Sequence, residues 1–156
     1  MHHADMHIVG EGRRKDASVS HGKSIGREAV ISSAALAHSR LAIIDVSGGR
    51  QPLSSRDGRL HVDCNGEIYN HEAIRRSLDA SYPFLTRSDS EVLLPLYEHS
   101  GPEAVHGLDG MYAFLLAGRN RFYAARDRLG IKPLYYGRGA QGLLFASEVK
   151  ALDGQV

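Results

Sequence analysis

A chain of 156 residues is long enough to bury one core and too short for two ordinary domains. Its formal charge of +1 comes from 19 Lys and Arg against 18 Asp and Glu interspersed along the sequence, which leaves no basic stripe for a nucleic acid to meet. A single cysteine, Cys64, excludes internal disulfides and Cys-rich metal clusters, and the longest apolar run, Met111 to Ala117, is too short to span a bilayer. With no apolar stretch at the N-terminus fit for a signal peptide, the expectation is a soluble cytoplasmic protein with no nucleic-acid or membrane partner.

Residues 1 to 28 are rich in His, Arg, Lys, Gly and Ser without apolar periodicity, and read as an atypical, disordered or loop segment ahead of a domain over 29–156. Two features there carry little. Gly22-Lys23-Ser24 resembles the end of a phosphate loop, but Ala17 stands where that loop needs its first Gly; His3 and His7 have i, i+4 ligand spacing in an unstructured tail. From Ala29 the pattern turns strand-like, over Ala29–Ala37 and Leu41–Val46, with a break at Ser47-Gly48-Gly49. Ser55–Gly58 reads as a turn and Leu60–Cys64 as a strand.

Asn70 is placed to N-cap a helix running to Leu78, with Glu72 in its first turn. Ser88-Asp89-Ser90-Glu91 has the form of a capping box opening a second helix, which Pro95 should kink at a cost of about 3 kcal/mol. Gly101–Gly107 suggests a short helix. Strands then follow at Met111–Ala117, Arg121–Arg126, Lys132–Tyr136 and Leu143–Ala146, with a last short helix over Ser147–Leu152. Arg126 and Asp127 suggest an internal ion pair, and Tyr135 and Tyr136 core or interface positions. The sum is an α+β pattern with antiparallel meanders.

The run Cys64-Asn65-Gly66-Glu67-Ile68-Tyr69-Asn70 carries the most information about chemistry. An Asn side chain and the N–H of the next Gly can together hold the anionic oxygen of a tetrahedral intermediate. Taken alone, Asn-Gly between apolar-patterned segments reads instead as a type I′ hairpin turn. Cys64 precedes Asn65 on a strand, so its side chain should point to the opposite face, as a small core residue.

Read as an ordered set, Leu36 to Asp45, Gln51-Pro52-Leu53, Asn65 to Asn70, Ser88 to Glu91, Leu108 to Phe114, Arg126 to Tyr136 and Phe145 to Leu152 resemble the asparagine synthetase-type class II glutamine amidotransferases. The resemblance covers about 30–152. It implies an N-terminal nucleophile hydrolase-type fold, a four-layer αββα sandwich with two antiparallel sheets, whose reaction hydrolyses glutamine to glutamate and ammonia for asparagine formation. It also implies a glutamine site of Arg40, Leu41, Ile44, Asn65, Gly66, Glu67 and Asp89. Arg40 would grip the α-carboxylate, as a planar guanidinium can. Asp89 would accept from the α-ammonium, and Asn65 with Gly66 would form the oxyanion hole. Singly, Arg40 could pair with Asp45 and Asp89 could cap a helix. No metal or cofactor is implied for this domain; ATP and Mg enter only with a separate synthetase domain or subunit, and a homo-oligomer is left open.

The family's nucleophile is a cysteine at the chain start whose own α-amine, with a pKa near 8, serves as base. This chain begins Met1-His2-His3, and the family's His-Arg-Gly-Pro-Asp run is missing, with only His21-Gly22 faintly like it. The expectation is therefore an inactive or very weak hydrolase whose first 23 or so residues come from a mis-started or frameshifted reading of a longer gene, rather than a degenerate domain. Nothing before Val156 resembles the Gly-rich pyrophosphate loop of a synthetase domain. The alternative is a non-catalytic module that binds glutamine or packs against a partner.

Overall fold

A computed structural model describes residues 25–29, 34, 36, 50–78, 80–140 and 142–156, with the side chains of 25–29 left aside. Arg40, Leu41 and Ile44, and most of the two strands read over 29–46, lie outside the described residues.

Among the described residues, seven strands and two α-helices alternate with short 3-10 helices. Strands β1 (Ile25–Ala29), β2 (Leu53–Ser54), β3 (Leu60–Ile68), β4 (Gly110–Gly118) and β5 (Arg121–Arg126) form one antiparallel sheet in the order β1-β5-β4-β3-β2. Strands β6 (Tyr135–Gly139) and β7 (Gly142–Ala146) form a second. β4 and β5 match the apolar runs read from the sequence because each is bounded by glycine or a turn. β1 differs from its reading as loop: Ile25–Ala29 pair residue for residue with Arg126–Phe122, so partner strand and not local pattern makes these residues extended. β6 begins at Tyr135, three residues later than expected, because Lys132 is drawn into the loop before it.

The decisive departure is β3. It does not stop at Cys64 but runs on through Asn65 and Gly66 to Ile68, in unbroken register with β4 (Cys64 opposite Phe114, Asn65 opposite Ala113, Gly66 opposite Tyr112). The hairpin reading of Asn65-Gly66 is thereby overturned. Gly66 keeps a positive φ of +133°, and a Cβ on it would lie 2.0 Å from the Met111 carbonyl oxygen, so only glycine fits at this central rung.

The two faces of the large sheet bury different cores. Val62, Cys64, Ile68, Phe114, Leu116 and Tyr123 pack under the helical layer of Leu93, Leu94, Tyr97 and Val105. Ring contacts of Tyr97 and Phe114 with Tyr123, at 5.4 and 5.9 Å between centroids, add to a burial of about 1.5–3 kcal/mol per large side chain. The opposite face carries Leu115, Ala117, Phe122 and Ala124 against Phe145 of β7, with Leu134 and Leu143 at the margin. Two antiparallel sheets thus stack face to face, with the two α-helices of the described residues outside the large sheet, in the expected α+β arrangement.

Helix α1 (His71–Leu78) starts just after Asn70, as read, and the Asn70 carbonyl takes its first helical bond, from the Ile74 N–H at 3.2 Å, but the Asn70 side chain is engaged elsewhere. Its side chain bonds the Gly107 carbonyl at 2.8 Å and the Asp109 N–H at 3.0 Å, stapling the entry of β4 to the exit of β3. The capping box is not formed either. Ser88 makes no side-chain cap bond, and Glu91 turns backward to accept from the N–H groups of Leu85 and Thr86 and from the Thr86 hydroxyl. Asp89–Val92 is consequently a 3-10 helix, and α2 (Leu93–Ser100) begins only afterward. Pro95 therefore falls in the first turn of α2, where the N–H it lacks has no helical partner to lose, and it makes no mid-helix kink. Gly101–Gly107 and Val149–Leu152 are helical as expected, in the tighter 3-10 form. Among the described residues no helix is long and apolar enough to cross a membrane.

Candidate glutamine site

The site is built on the parity of the β3–β4 ladder. The Tyr69 N–H donates to the Asp109 carbonyl at 2.7 Å, so every second pair back along the strands, Glu67 with Met111 and Asn65 with Ala113, is a hydrogen-bonded pair. The Asn65 carbonyl thus faces β4. The Gly66 N–H shares that peptide plane and points the other way, off the β2 side of the strand. From the partner strand the result is the same: Tyr112, opposite Gly66, gives its N–H to the Asp127 carboxylate at 3.2 Å and takes the Asp127 N–H at 2.7 Å.

Along this edge, four alternate residues meet four different fates. Val62 pairs with Leu53 of β2. Cys64 is met by a side chain: its N–H donates to Gln51 Oε1 at 2.5 Å and its carbonyl accepts from Gln51 Nε2 at 2.7 Å. Gly66 has no partner for its N–H among the described residues. Ile68 donates its N–H to Asp89 Oδ2 at 2.8 Å. A backbone donor without a partner among the described residues therefore sits between an amide and a carboxylate, about 7 Å from each along the strand. Asn65 and Gly66 are half-buried, open enough to meet a ligand. Alternation places Asn65 and Glu67 on the face that looks toward β6 and β7, with fully buried Asp63 on that same face.

Asp89 owes its place to a buried ionic knot. Arg75 of α1 donates to the carbonyls of Thr86 at 2.9 Å and Ser88 at 2.9 Å, lies 3.8 Å from Glu91, and rests 4.0 Å over the Phe84 ring. Glu91, 1% exposed, gathers the donors of residues 85 and 86. Together they fold the segment before Asp89 back on α1. Asp89 itself is buried; Oδ2 is engaged by Ile68, while among the described residues Oδ1 has only a 3.5 Å approach from the Ser90 hydroxyl, leaving acceptor capacity.

Cys64 behaves as the core residue expected from strand alternation. It is 2% exposed in the core under the helices, and burial first, then the neighbouring Asp89 carboxylate, push its thiol well above the ordinary range. A thiol held neutral on the face opposite Asn65 is no nucleophile for that site. Among the described residues no three His, Cys, Asp or Glu side chains gather as metal ligands. A cavity of about 400 Å³ lined by His106, Asp109, Asp127 and Arg128 touches neither Asn65 nor Asp89.

Comparison with known proteins decides the family. The model of the glutamine amidotransferase domain matches residues 20–156. The chain belongs to the glutamine amidotransferase domain family. Relatives of this amidotransferase domain include asparagine synthetase [glutamine-hydrolyzing] 3 of Arabidopsis thaliana, 55% identical over 121 residues covering 76% of this chain and 21% of that protein. Asparagine synthetase B of Escherichia coli is 47% identical over 77% of this chain and 22% of its own length, and a probable asparagine synthetase of Schizosaccharomyces pombe is 45% identical over 84% and 24%. The amidotransferase domain thus spans about a fifth of the length of these curated relatives. Among solved structures, the glutamine phosphoribosylpyrophosphate amidotransferase of B. subtilis superposes with a TM-score of 0.58 at 30% identity, over 66% of this chain and 25% of that one. The fold is the N-terminal nucleophile type.

Three residues named in the sequence take roles that it did not indicate. Gln51 serves as a rung of the sheet, and a buried carboxylate at Glu91 orders the approach to Asp89. Asp127 is the third: its carboxylate accepts four backbone N–H groups, from Tyr112, Leu129, Ile131 and Lys132, and forms no ion pair with Arg126, whose guanidinium packs beside Gly130.

Proposed function

We propose that this chain is the glutamine-recognising part of an asparagine synthetase-type amidotransferase, and that as written it binds glutamine while hydrolysing it weakly or not at all. The observation that carries the reading is the Gly66 N–H beside Asn65, turned away from β4 and without a partner among the described residues, on an edge that also anchors Asp89. In this reading Arg40 holds the α-carboxylate between Leu41 and Ile44, Asp89 Oδ1 and Glu67 receive the α-ammonium, and the Asn65 amide with the Gly66 N–H holds the oxygen of the side-chain amide. Those two donors favour the oxygen most as it becomes anionic, so they prepare the site for a tetrahedral intermediate even where no attack follows.

What attack requires is a thiolate. The one cysteine of the sequence is buried with a raised pKa, so the donors alone support at most an acceleration of about 10³ to 10⁴ over water, the level left when enzymes lose a nucleophile. We read the asparagine-forming half reaction as the task of a synthetase domain or subunit outside this chain, with ATP and Mg acting there and not here. The single cysteine favours a cytoplasmic setting.

Titration calorimetry and ammonia release test the proposal together. Glutamine should bind, Arg40→Ala and Asp89→Asn should each weaken binding at least about tenfold as a charge-assisted contact is lost, and no turnover should be seen. Turnover at the rate of an intact amidotransferase would overturn the inactive reading, and absence of glutamine binding would overturn the site.

A further inference from the structure

Gln51 stands at a position that the sheet register defines. Leu53 pairs with Val62 and Ser54 with His61, so residue 51 falls opposite Cys64. The rung there is made by the Gln51 side chain, whose amide supplies the acceptor and the donor that a backbone would have supplied.

We infer that Gln51 is a positioning residue for the oxyanion pair: its amide fixes the Cys64 peptide one residue ahead of Asn65, and through that peptide the geometry of the Asn65 amide and the Gly66 N–H. The inference rests on the glutamine-binding reading for its ligand but not for its geometry. Gln51 touches no part of the bound amino acid; it acts through the strand. The two bonds differ in kind: a carboxylate in place of the amide still accepts from the Cys64 N–H but confronts the Cys64 carbonyl with a second acceptor. Gln51→Glu should accordingly retain half of the rung, and Gln51→Ala none.

The test is amide NMR of the full chain, free and titrated with glutamine. In Gln51→Ala the free-protein resonances of the Gly66 N–H and the Asn65 side-chain NH₂ should move, the Cys64 N–H should exchange faster, and saturation of the glutamine-induced shifts should need about tenfold more glutamine. Gln51→Glu should fall between Gln51→Ala and the parent and provides the measurement if the alanine variant does not fold. Unmoved Asn65 and Gly66 resonances in a folded variant, or an unchanged titration, would overturn the inference. If the parent chain shows no glutamine-induced shift, the glutamine-binding reading fails, while the free-protein resonances still decide whether Gln51 sets the Asn65-Gly66 geometry.

Discussion

Replacing Gly66 by alanine separates a structural demand from a local preference. An ideal Cβ there would sit 2.0 Å from the Met111 oxygen, 2.8 Å from the Tyr112 Cα and 2.9 Å from the Met111 carbon, all backbone atoms of the neighbouring central strand. Carbon and oxygen do not normally approach within about 3.3 Å, so β3 and β4 would have to part by more than about 1 Å where strands lie about 4.8 Å apart. The positive φ costs about 1–2 kcal/mol for any side chain, and forcing the rung open costs about 1–3 more. The total, about 2–5 kcal/mol, is a large part of the 5–15 kcal/mol that typically holds a domain together. Gly58 supplies the control: its φ is +66°, and nothing lies within 4 Å of a Cβ placed on it, so Gly58→Ala should lose only the conformational part. Urea denaturation followed by circular dichroism, with equal m-values, gives both numbers. If Gly66→Ala and Gly58→Ala agree within about 0.5 kcal/mol, the close rung is not what selects glycine, and the geometry of the donor at Gly66 loses its support.

Two further outcomes follow from buried groups. Burial raises the Asp127 carboxyl, but the four backbone N–H donors outweigh it and hold the pKa below the ordinary 3.8; its contribution is thus full above that value and is lost as pH falls through the folded pKa. Asp127→Asn should cost about 2–3 kcal/mol at neutral pH and the gap should close below pH 3.8, whereas a constant gap down to pH 2 in urea titrations would refute the assignment. Cys64 should alkylate about a thousandfold more slowly in the folded chain than in urea, read by mass spectrometry; labelling at the unfolded rate would place the thiol at the surface.

The strands were legible where apolar runs end in glycine or a turn, as at Gly110–Gly118 and Arg121–Arg126, and the helix after Asn70 was legible from its spacing. Asn65-Gly66 misled because the property that suits a pair to a tight turn, tolerance of positive φ, is also what lets a strand pass close to its neighbour; pairing with β4 chose between them. Ser88 and Glu91 have the spacing of a cap, yet the donors at Leu85 and Thr86 compete for the same carboxylate and win. Arg126 and Asp127 are adjacent on extended chain, where neighbours point apart, so their charges do not meet. Asp89 was found by resemblance, and its contact with Ile68 could not have been, since no periodicity links a 3-10 helix to a strand 21 residues earlier.

Among the described residues, side chains and not strands finish the border of β3 beyond β2. An unfinished border invites another chain to add itself, and proteins usually guard against this with charge, proline or covering loops. Here the Gln51 amide and the Asp89 carboxylate occupy the rungs on either side of Gly66, so that among the described residues a single rung between them has no partner. Strand addition needs several successive rungs, so the gap accepts a small solute yet gives a polypeptide no foothold. Removing either plug would lengthen the opening, and the first consequence to appear would be self-association of the folded chain.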